Sequence, residues 1–201
     1  MVSAGMRFYY PPDSGNGRIE DYLQDRLRAI RLCFDQGAPE ACLALGYSGI
    51  DTFGLLGAPA GVSKATRATF KDWAEAYLVG RVKDIQGGPV AAVDLYAARC
   101  GILHTSTSES ELGNRGDARE ILYRYRGHQA IRLLSVLPLP FISVDVEHLC
   151  VTFKEGALSF IEGLQGDPDR AQLAYSRAEN FMRWAIPHPG NISSAPAPAS
   201  I

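Results

Sequence analysis

The sequence predicts a mainly α-helical fold: an up-and-down helical bundle of about five to six helices with a small β-hairpin after the fourth helix. Apolar residues recur at helical spacing through most of the chain, whereas β-branched and aromatic residues concentrate in two short stretches. The 201 residues are 46% hydrophobic and 21% charged, which suits one globular domain. We expect this domain to span residues 17–186, between an irregular arm at 1–16 and a disordered Pro/Ala/Ser tail at 187–201.

The first two predicted helices follow the arm. The first covers residues 18–36, where apolar residues lie three or four positions apart, and Gly37 ends it. Pro39 suits the first turn of the second helix, residues 40–56, which is apolar on nearly every side and is therefore predicted to be buried. A glycine inside a helix costs about 1 kcal/mol relative to alanine. We therefore expect another helix to approach closely at the glycines of this segment, Gly46, Gly49 and Gly54.

Two further helices precede the strands. Ser63 is the expected N-cap of a third helix that continues to about residue 79 with its aromatic side chains on one face. A fourth helix is expected from residue 90 to about residue 104, and a polar loop follows it.

The segments with strand character are residues 121–126 and 141–146, and we expect them to form the hairpin. Helical spacing returns at residues 146–164, where one apolar stripe is predicted to face the core: Leu149, Phe153, Ala157 and Phe160. A last helix is predicted to open at Asp167-Pro168-Asp169 and to continue through Trp184.

Charge and cysteine usage restrict the class of protein. The net charge of −2 gives no overall attraction to nucleic acid or to an anionic membrane. Any such attraction has to come from a local cluster of positive charges. No run approaches the ~18 consecutive apolar residues of a membrane span, and the N-terminus lacks the apolar core of a signal peptide. The four cysteines lie far apart and indicate free thiols in a reducing compartment. We expect a cytoplasmic protein with no metal, no cofactor and no membrane association.

The most informative motif is Arg99 followed five residues later by His104, at the end of the predicted fourth helix. A guanidinium binds phosphate oxygens in pairs and an imidazole titrates near neutrality, so the two residues suit proton transfer at a phosphodiester. In an ideal helix, five positions rotate side chains apart by about 140°, so we expect the pair to meet only at a helix terminus. The same spacing recurs at Arg183 and His188, where Pro187 interrupts the helix, and we interpret that copy as accidental.

The string Leu95-Tyr-Ala-Ala-Arg-Cys-Gly-Ile-Leu-His104 resembles the R-x(4–6)-H signature of the HEPN superfamily of helical-bundle proteins. The resemblance covers roughly residues 18–104 by architecture and only the quoted string by motif. It implies a homodimer in which two Arg–His pairs face each other across a cleft. It also implies a metal-independent endoribonuclease, of the kind found in toxin–antitoxin and defence systems, with an antitoxin or another protein as partner. By position, Arg99 would bind and polarise the scissile phosphate, and His104 would be the general acid/base for attack by the ribose 2′-hydroxyl.

The alternative is a non-catalytic helical-bundle module that binds a protein or nucleic-acid partner. Arg99 would then form a structural ion pair with Asp51 or Asp94, and His104 would bond a carbonyl at the helix end. A carboxylate in an apolar helix is costly unless it is paired, so we expect Asp51 to meet Arg99 or a hydroxyl. Asp94 is expected to play a similar role and to be more exposed. For a third class, a bundle that binds a small ligand or nucleotide, the sequence contains no specific motif.

Five arginines follow the motif closely and form what we call the arginine strip: Arg115, Arg119, Arg124, Arg126 and Arg132. Tyr123 and Tyr125 are interleaved with them, and the acids within this stretch are Asp117 and Glu120. This pattern suits phosphate contacts combined with stacking on RNA bases. An equally good interpretation is a strand edge whose arginines discourage aggregation and pair with acids elsewhere.

Overall fold

The computed structural model describes residues 18–105, 116–127 and 141–181. These residues form six helices and two strands: α1 (Arg18–Asp35), α2 (Pro39–Leu56), α3 (Arg67–Tyr77), α4 (Ala92–Thr105), β1 (Glu120–Arg124), β2 (Phe141–Asp145), α5 (Val146–Gln165) and α6 (Pro168–Phe181). The mainly helical fold with a small two-stranded sheet after the fourth helix is therefore confirmed. The expected arm and tail, and Trp184 at the end of the last predicted helix, lie outside the described residues. None of the described helices is both long and apolar enough to cross a membrane.

Helix α2 lies at the centre of the described bundle. It packs against α1, α3, α4, α5 and α6, so it is covered on almost every side, as its apolar sequence predicts. The ring centroid of Phe53 in α2 lies 5.7 Å from that of Trp73 in α3 and 5.6 Å from that of Phe160 in α5. The predicted apolar stripe on α5 faces this core, since all four of its residues are buried: Leu149, Phe153, Ala157 and Phe160.

Two of the three glycines in α2 permit close approach of another helix. A Cβ atom on Gly54 would lie 2.6 Å from the carbonyl oxygen of Thr69 in α3, and one on Gly49 would lie 2.5 Å from the Phe153 ring of α5. Gly46 is different, because nothing lies within 4 Å of the position that its Cβ would take. The expectation of close packing is therefore confirmed at Gly49 and Gly54 and was wrong at Gly46.

The two strands pair in parallel, so the expected hairpin was wrong. Glu120 lies opposite Phe141, and Arg124 lies opposite Asp145. Antiparallel strands can be joined by a two-residue turn, whereas parallel strands need a long crossover, and residues 125–140 separate these two strands. Strand-forming composition reflects a pleated, half-buried surface, which both kinds of pairing provide, and it therefore does not predict strand direction.

Helix α3 begins one turn later than predicted, because Thr66 and not Ser63 is its N-cap. The Thr66 hydroxyl accepts a hydrogen bond from the Thr69 N–H at 3.2 Å, and the Thr69 hydroxyl accepts one from the Thr66 N–H at 2.8 Å. This reciprocal capping box satisfies two N–H groups that the first turn of a helix leaves without partners. Thr69 is also buried against α2 at Gly54, so packing and capping favour the same helix start.

The glycine contacts predict opposite effects for two matched substitutions in α2. Gly54→Ala should destabilise the protein by about 1–3 kcal/mol, because the new methyl group overlaps the backbone of Thr69. Gly46→Ala should stabilise it by about 0.4–1 kcal/mol, because the methyl group enters free space and the unfolded chain loses conformational freedom. Equilibrium urea denaturation measures both free energies of unfolding. Effects of the same sign and size would contradict the close packing of α2 against α3.

Candidate Arg–His site

The candidate site lies in the last two turns of α4, beside the contact of this helix with α2. Leu95 of α4 is fully buried in the core, whereas Arg99 is half-buried and His104 is exposed. The start of α4 is held by Asp94, whose carboxylate accepts a hydrogen bond from the Ala91 N–H at 3.0 Å. Burial of one face and capping of the first turn therefore set the direction in which the last two turns present their polar side chains.

Arg99 forms a shielded ion pair with Asp51 of α2, which is one of the contacts expected from the sequence. The Nε of Arg99 donates to the Oδ2 of Asp51 at 2.9 Å, and the Nη2 of Arg99 lies 2.7 Å from the same oxygen. The side chain of Arg99 is 19% exposed and that of Asp51 is 16% exposed, so water screens the pair only weakly. Removing either partner would leave the other as an uncompensated charge, which costs free energy. Each side chain is therefore held in position by the other.

His104 turns toward Arg99. Its Nε2 lies 3.1 Å from the Nη1 of Arg99. The angular offset of five residues is overcome because arginine has a long side chain and His104 lies in the last turn of α4. A guanidinium only donates hydrogen bonds, so this contact is a hydrogen bond when the Nε2 of His104 carries no proton. The contact places the exposed imidazole beside a cation that Asp51 holds in position.

Burial and pairing act in opposite directions on the two charged groups. Burial raises the pKa of the Asp51 carboxyl above its ordinary value, although Arg99 and His104 counteract this shift. Burial also disfavours the charged form of Arg99, but the hydrogen bond and charge of Asp51 outweigh it and raise the pKa of the guanidinium. Arg99 therefore remains a cation near neutral pH, and its Nη1 points away from Asp51 and toward His104.

Asp94 was expected to be the more exposed of the two acids, and this expectation was wrong. It is 2% exposed and pairs with Arg119, whose Nη2 lies 2.6 Å from the Oδ2 of Asp94. The backbone N–H of Arg119 also donates to the Oδ1 of Asp94 at 2.8 Å. A carboxylate in the first turn of a helix is favoured by the free N–H groups and by the helix dipole. Asp94 thus joins α4 to the start of β1, while Arg99 pairs with Asp51.

The described part of the arginine strip makes contacts within the protein. Arg119 pairs with Asp94, and Arg126 donates to two carbonyl oxygens at the C-terminal end of α1, each at 3.1 Å. The Nε of Arg124 is buried and has no hydrogen-bond partner among the described residues. Two members lie outside the described residues: Arg115 and Arg132. A role of the strip in binding nucleic acid stays a prediction.

The two tyrosines of the strip are directed inward. The hydroxyl of Tyr123 hydrogen-bonds to that of Tyr47 in α2, and burial raises the pKa of both phenols. The hydroxyl of Tyr125 donates to the carbonyl of Phe34 in α1, and the two rings pack edge to face with centroids 5.0 Å apart. These contacts agree with the strand-edge interpretation, because they tie β1 and the residue after it to the helices.

Two residues that the sequence motif did not include adjoin the site. Tyr96 precedes Arg99 by one turn of α4, and the Cζ of Arg67 in α3 lies 5.6 Å from the centre of the Tyr96 ring. Burial and the neighbouring Cys100 raise the pKa of the Tyr96 phenol, while the charges of both arginines lower it. The signal in the sequence is charge patterning, since residues 52–71 contain no acid and three cations: Lys64, Arg67 and Lys71.

A concave part of the described bundle lies away from this site. A cavity of about 250 Å³ between α2, α3 and α6 is lined by residues that include Trp73, Tyr77 and Arg170. The indole N–H of Trp73 has no hydrogen-bond partner among the described residues. Neither Arg99 nor His104 lines this cavity.

Comparison with protein-family models, with curated proteins and with solved structures gave no match for this chain. Within residues 18–105, 116–127 and 141–181, no group of three His, Cys, Asp or Glu side chains could hold a metal ion. The geometry of Asp51, Arg99 and His104 is therefore the basis for assigning a function.

Two substitutions of Asp51 test its role as the acceptor that holds Arg99. Asp51→Ala should lower the free energy of unfolding by about 1–3 kcal/mol, because the shielded guanidinium loses its partner. Asp51→Asn should cost less, because the amide oxygen still accepts from Arg99 and a neutral side chain is easier to bury. Urea denaturation of the three proteins measures the difference. If alanine is tolerated as well as asparagine, Asp51 does not hold Arg99.

Because the pKa of Asp51 is raised, the difference in unfolding free energy between the wild type and Asp51→Asn should depend on pH. A folded-state pKa above the unfolded-state value means that the native protein binds this proton more tightly. The resulting stabilisation is complete below the unfolded-state pKa and is lost as the pH rises through the folded-state pKa. Relative to Asp51→Asn, which does not titrate, the wild type should lose stability over the pH range that begins at the ordinary pKa of an aspartate, about 4, and extends upward from it. A difference in unfolding free energy that is constant over this range, or that grows in favour of the wild type, would contradict the shift.

Proposed function

We propose that this chain is a cytoplasmic, homodimeric, HEPN-like protein that acts on RNA as a metal-independent endoribonuclease through Arg99 and His104. The observation that carries the proposal is the 3.1 Å contact between the Nη1 of Arg99 and the Nε2 of the exposed His104. It brings a permanent cation and an imidazole together at one surface position. Cleavage of a phosphodiester uses both, because negative charge develops on the phosphate while a proton leaves the attacking hydroxyl.

In the proposed reaction, Arg99 binds a non-bridging oxygen of the scissile phosphate, and His104 takes the proton of the ribose 2′-hydroxyl. The 2′-oxygen attacks phosphorus, the bond to the 5′-oxygen breaks, and the leaving oxygen receives a proton. The products are a 2′,3′-cyclic phosphate and a 5′-hydroxyl. The proton of the 2′-hydroxyl goes to a neutral His104, and the leaving 5′-oxygen takes a proton from the partner's His104, which has to enter the reaction as the imidazolium.

The acids have positioning roles in this proposal. Asp51 occupies the Nε and Nη2 edge of Arg99 and leaves the Nη1 edge facing His104. When the phosphate binds, its oxygen replaces the Nε2 of His104 at Nη1, which releases the imidazole lone pair for the 2′-hydroxyl proton. Asp51 holds the guanidinium in place during this exchange, which favours electrostatic stabilisation of the transition state. Asp94 acts at a greater distance, because it anchors the start of α4 to Arg119.

The shielded Asp51–Arg99 ion pair also favours a second candidate, a non-catalytic bundle that binds a protein such as an antitoxin, or a nucleic acid. In this case Arg99 serves the stability of the fold, and His104 is a surface residue without chemistry. The two candidates differ in one measurable property, which is whether removing the imidazole changes an activity or changes nothing.

His104→Ala should reduce RNA cleavage by the purified full-length protein in EDTA at least a hundredfold, since it removes the acid/base. Its melting temperature should stay nearly that of the wild type, because the lost side chain is exposed. Gel electrophoresis of end-labelled RNA measures the rate, and treatment of the products with a phosphatase, before and after acid opening, identifies the 2′,3′-cyclic phosphate.

The chain provides a matched control in His188→Ala, because His188 also follows an arginine by five positions. This variant should cleave RNA at the wild-type rate. Equal loss of activity in both histidine variants would contradict the assignment of His104. A wild-type protein that cleaves none of the RNAs offered, together with unfolding of Arg99→Ala, would support the non-catalytic candidate instead.

A further inference from the structure

We propose that the N-terminal end of α3 is an RNA-backbone binding surface that continues from the Arg99–His104 site. This α3 cation surface consists of Lys64, Arg67 and Lys71, with the Tyr96 ring beneath the Arg67 guanidinium. Its ligand is the run of phosphates that flanks the cleaved bond, and in this respect the proposal rests on the proposed function.

The local charge at the start of α3 is positive. Lys64 and Arg67 are exposed and Lys71 is half-buried, in a chain whose net charge is −2. Arg67 and Lys71 are four residues apart on one face of α3, and like charges at this spacing destabilise a helix by about 0.2–0.5 kcal/mol. The positive end of the helix dipole adds to the same potential. The acids of α3 come later along the helix: Asp72 and Glu75.

The Tyr96 ring connects the α3 cation surface to the candidate site. The Tyr96 ring is fixed by an edge-to-face contact with the buried Phe70, with ring centroids 5.5 Å apart. Arg67 lies over this ring from α3, while Arg99 follows Tyr96 by one turn of α4. Both arginines are near enough to act on the ionisation of the Tyr96 phenol. Arg67 and Arg99 therefore adjoin the same ring, which connects the Arg67 part of this surface to the Arg–His pair.

Arg67 differs from the described arginines of the arginine strip in the contacts that its guanidinium makes. Arg119 and Arg126 are held by a carboxylate and by backbone carbonyl oxygens, respectively. The guanidinium of Arg67 instead lies over a phenol ring, and this cation–π contact does not use its N–H groups, which can donate to phosphate oxygens. A polyanion that enters the Arg99–His104 site along α4 meets this surface next.

The test measures binding separately from cleavage. Fluorescence anisotropy of a short, labelled 2′-O-methyl RNA reports binding without reaction, because the attacking 2′-hydroxyl is blocked. The triple variant Lys64→Gln, Arg67→Gln, Lys71→Gln should bind about tenfold more weakly than the wild type. Its plot of log Kd against log salt, from about 50 to about 200 mM, should be less steep by about 2, as expected for the loss of three contacts to single-stranded RNA.

The control removes the same charge elsewhere, with Arg28→Gln, Arg31→Gln and Arg81→Gln, and should change neither the affinity nor the salt slope by as much. Circular dichroism verifies that both triple variants are folded. The proposed surface would be wrong if both triple variants lost affinity for RNA equally, or if the wild type bound no RNA.

The two proposals fail in different ways. If His104→Ala abolishes cleavage but the α3 triple variant keeps the wild-type Kd and KM, the surface is wrong and the nuclease assignment stands. If no RNA is cleaved but the α3 triple variant alone loses binding, the surface stands and the catalytic assignment is wrong. Both proposals are supported only if the α3 triple variant cleaves RNA with a raised KM and an unchanged kcat.

Discussion

A helix that is apolar on nearly every side must be covered on every side, and α2 imposes this constraint on the rest of the molecule. Five other helices pack around it, and Gly54 permits the backbone of α3 to approach more closely than a methyl group would allow. Phe53 lies at the centre of a cluster of aromatic rings contributed by α3 and α5. The positions of α3 and α4, and hence of the residues that we assign to function, follow from this packing.

The one charged residue in the middle of α2 links the fold to the site. Asp51 is largely buried and needs a cation, and Arg99 of α4 supplies it. The guanidinium then has one edge bound to the carboxylate and another edge beside His104. A structural ion pair and a reactive pair are therefore compatible in one arginine. The interaction that stabilises the packing of α4 on α2 also orients the group that would bind a phosphate.

The arginines in the described part of the chain include some that serve the fold and some that face solvent. Arg177 donates hydrogen bonds to the carbonyl oxygens at the end of α2 and in the loop after it, and Arg126 does the same at the end of α1. The planar guanidinium suits this task because it offers several donors in a fixed arrangement. Position in the fold, and not the number of arginines in a segment, thus decides which of them can meet a ligand. Arg67 is exposed at a helix start, whereas Arg119 is bound to a buried acid.

The sequence alone determined the helical class, most helix boundaries and the buried α2, because periodicity and residue type are local properties, and it indicated Arg99 and His104 as the candidate site. It also limited the partners of Asp51 to a short list that included Arg99. The parallel pairing of β1 with β2, the burial of Asp94 against Arg119 and the stacking of Arg67 on Tyr96 were decided by the tertiary structure. Each joins residues that are separated along the chain, and several such partners satisfy the same local pattern equally well. The packing of the elements around α2 decides which of these partners meet, because it sets the distances between residues that the sequence separates.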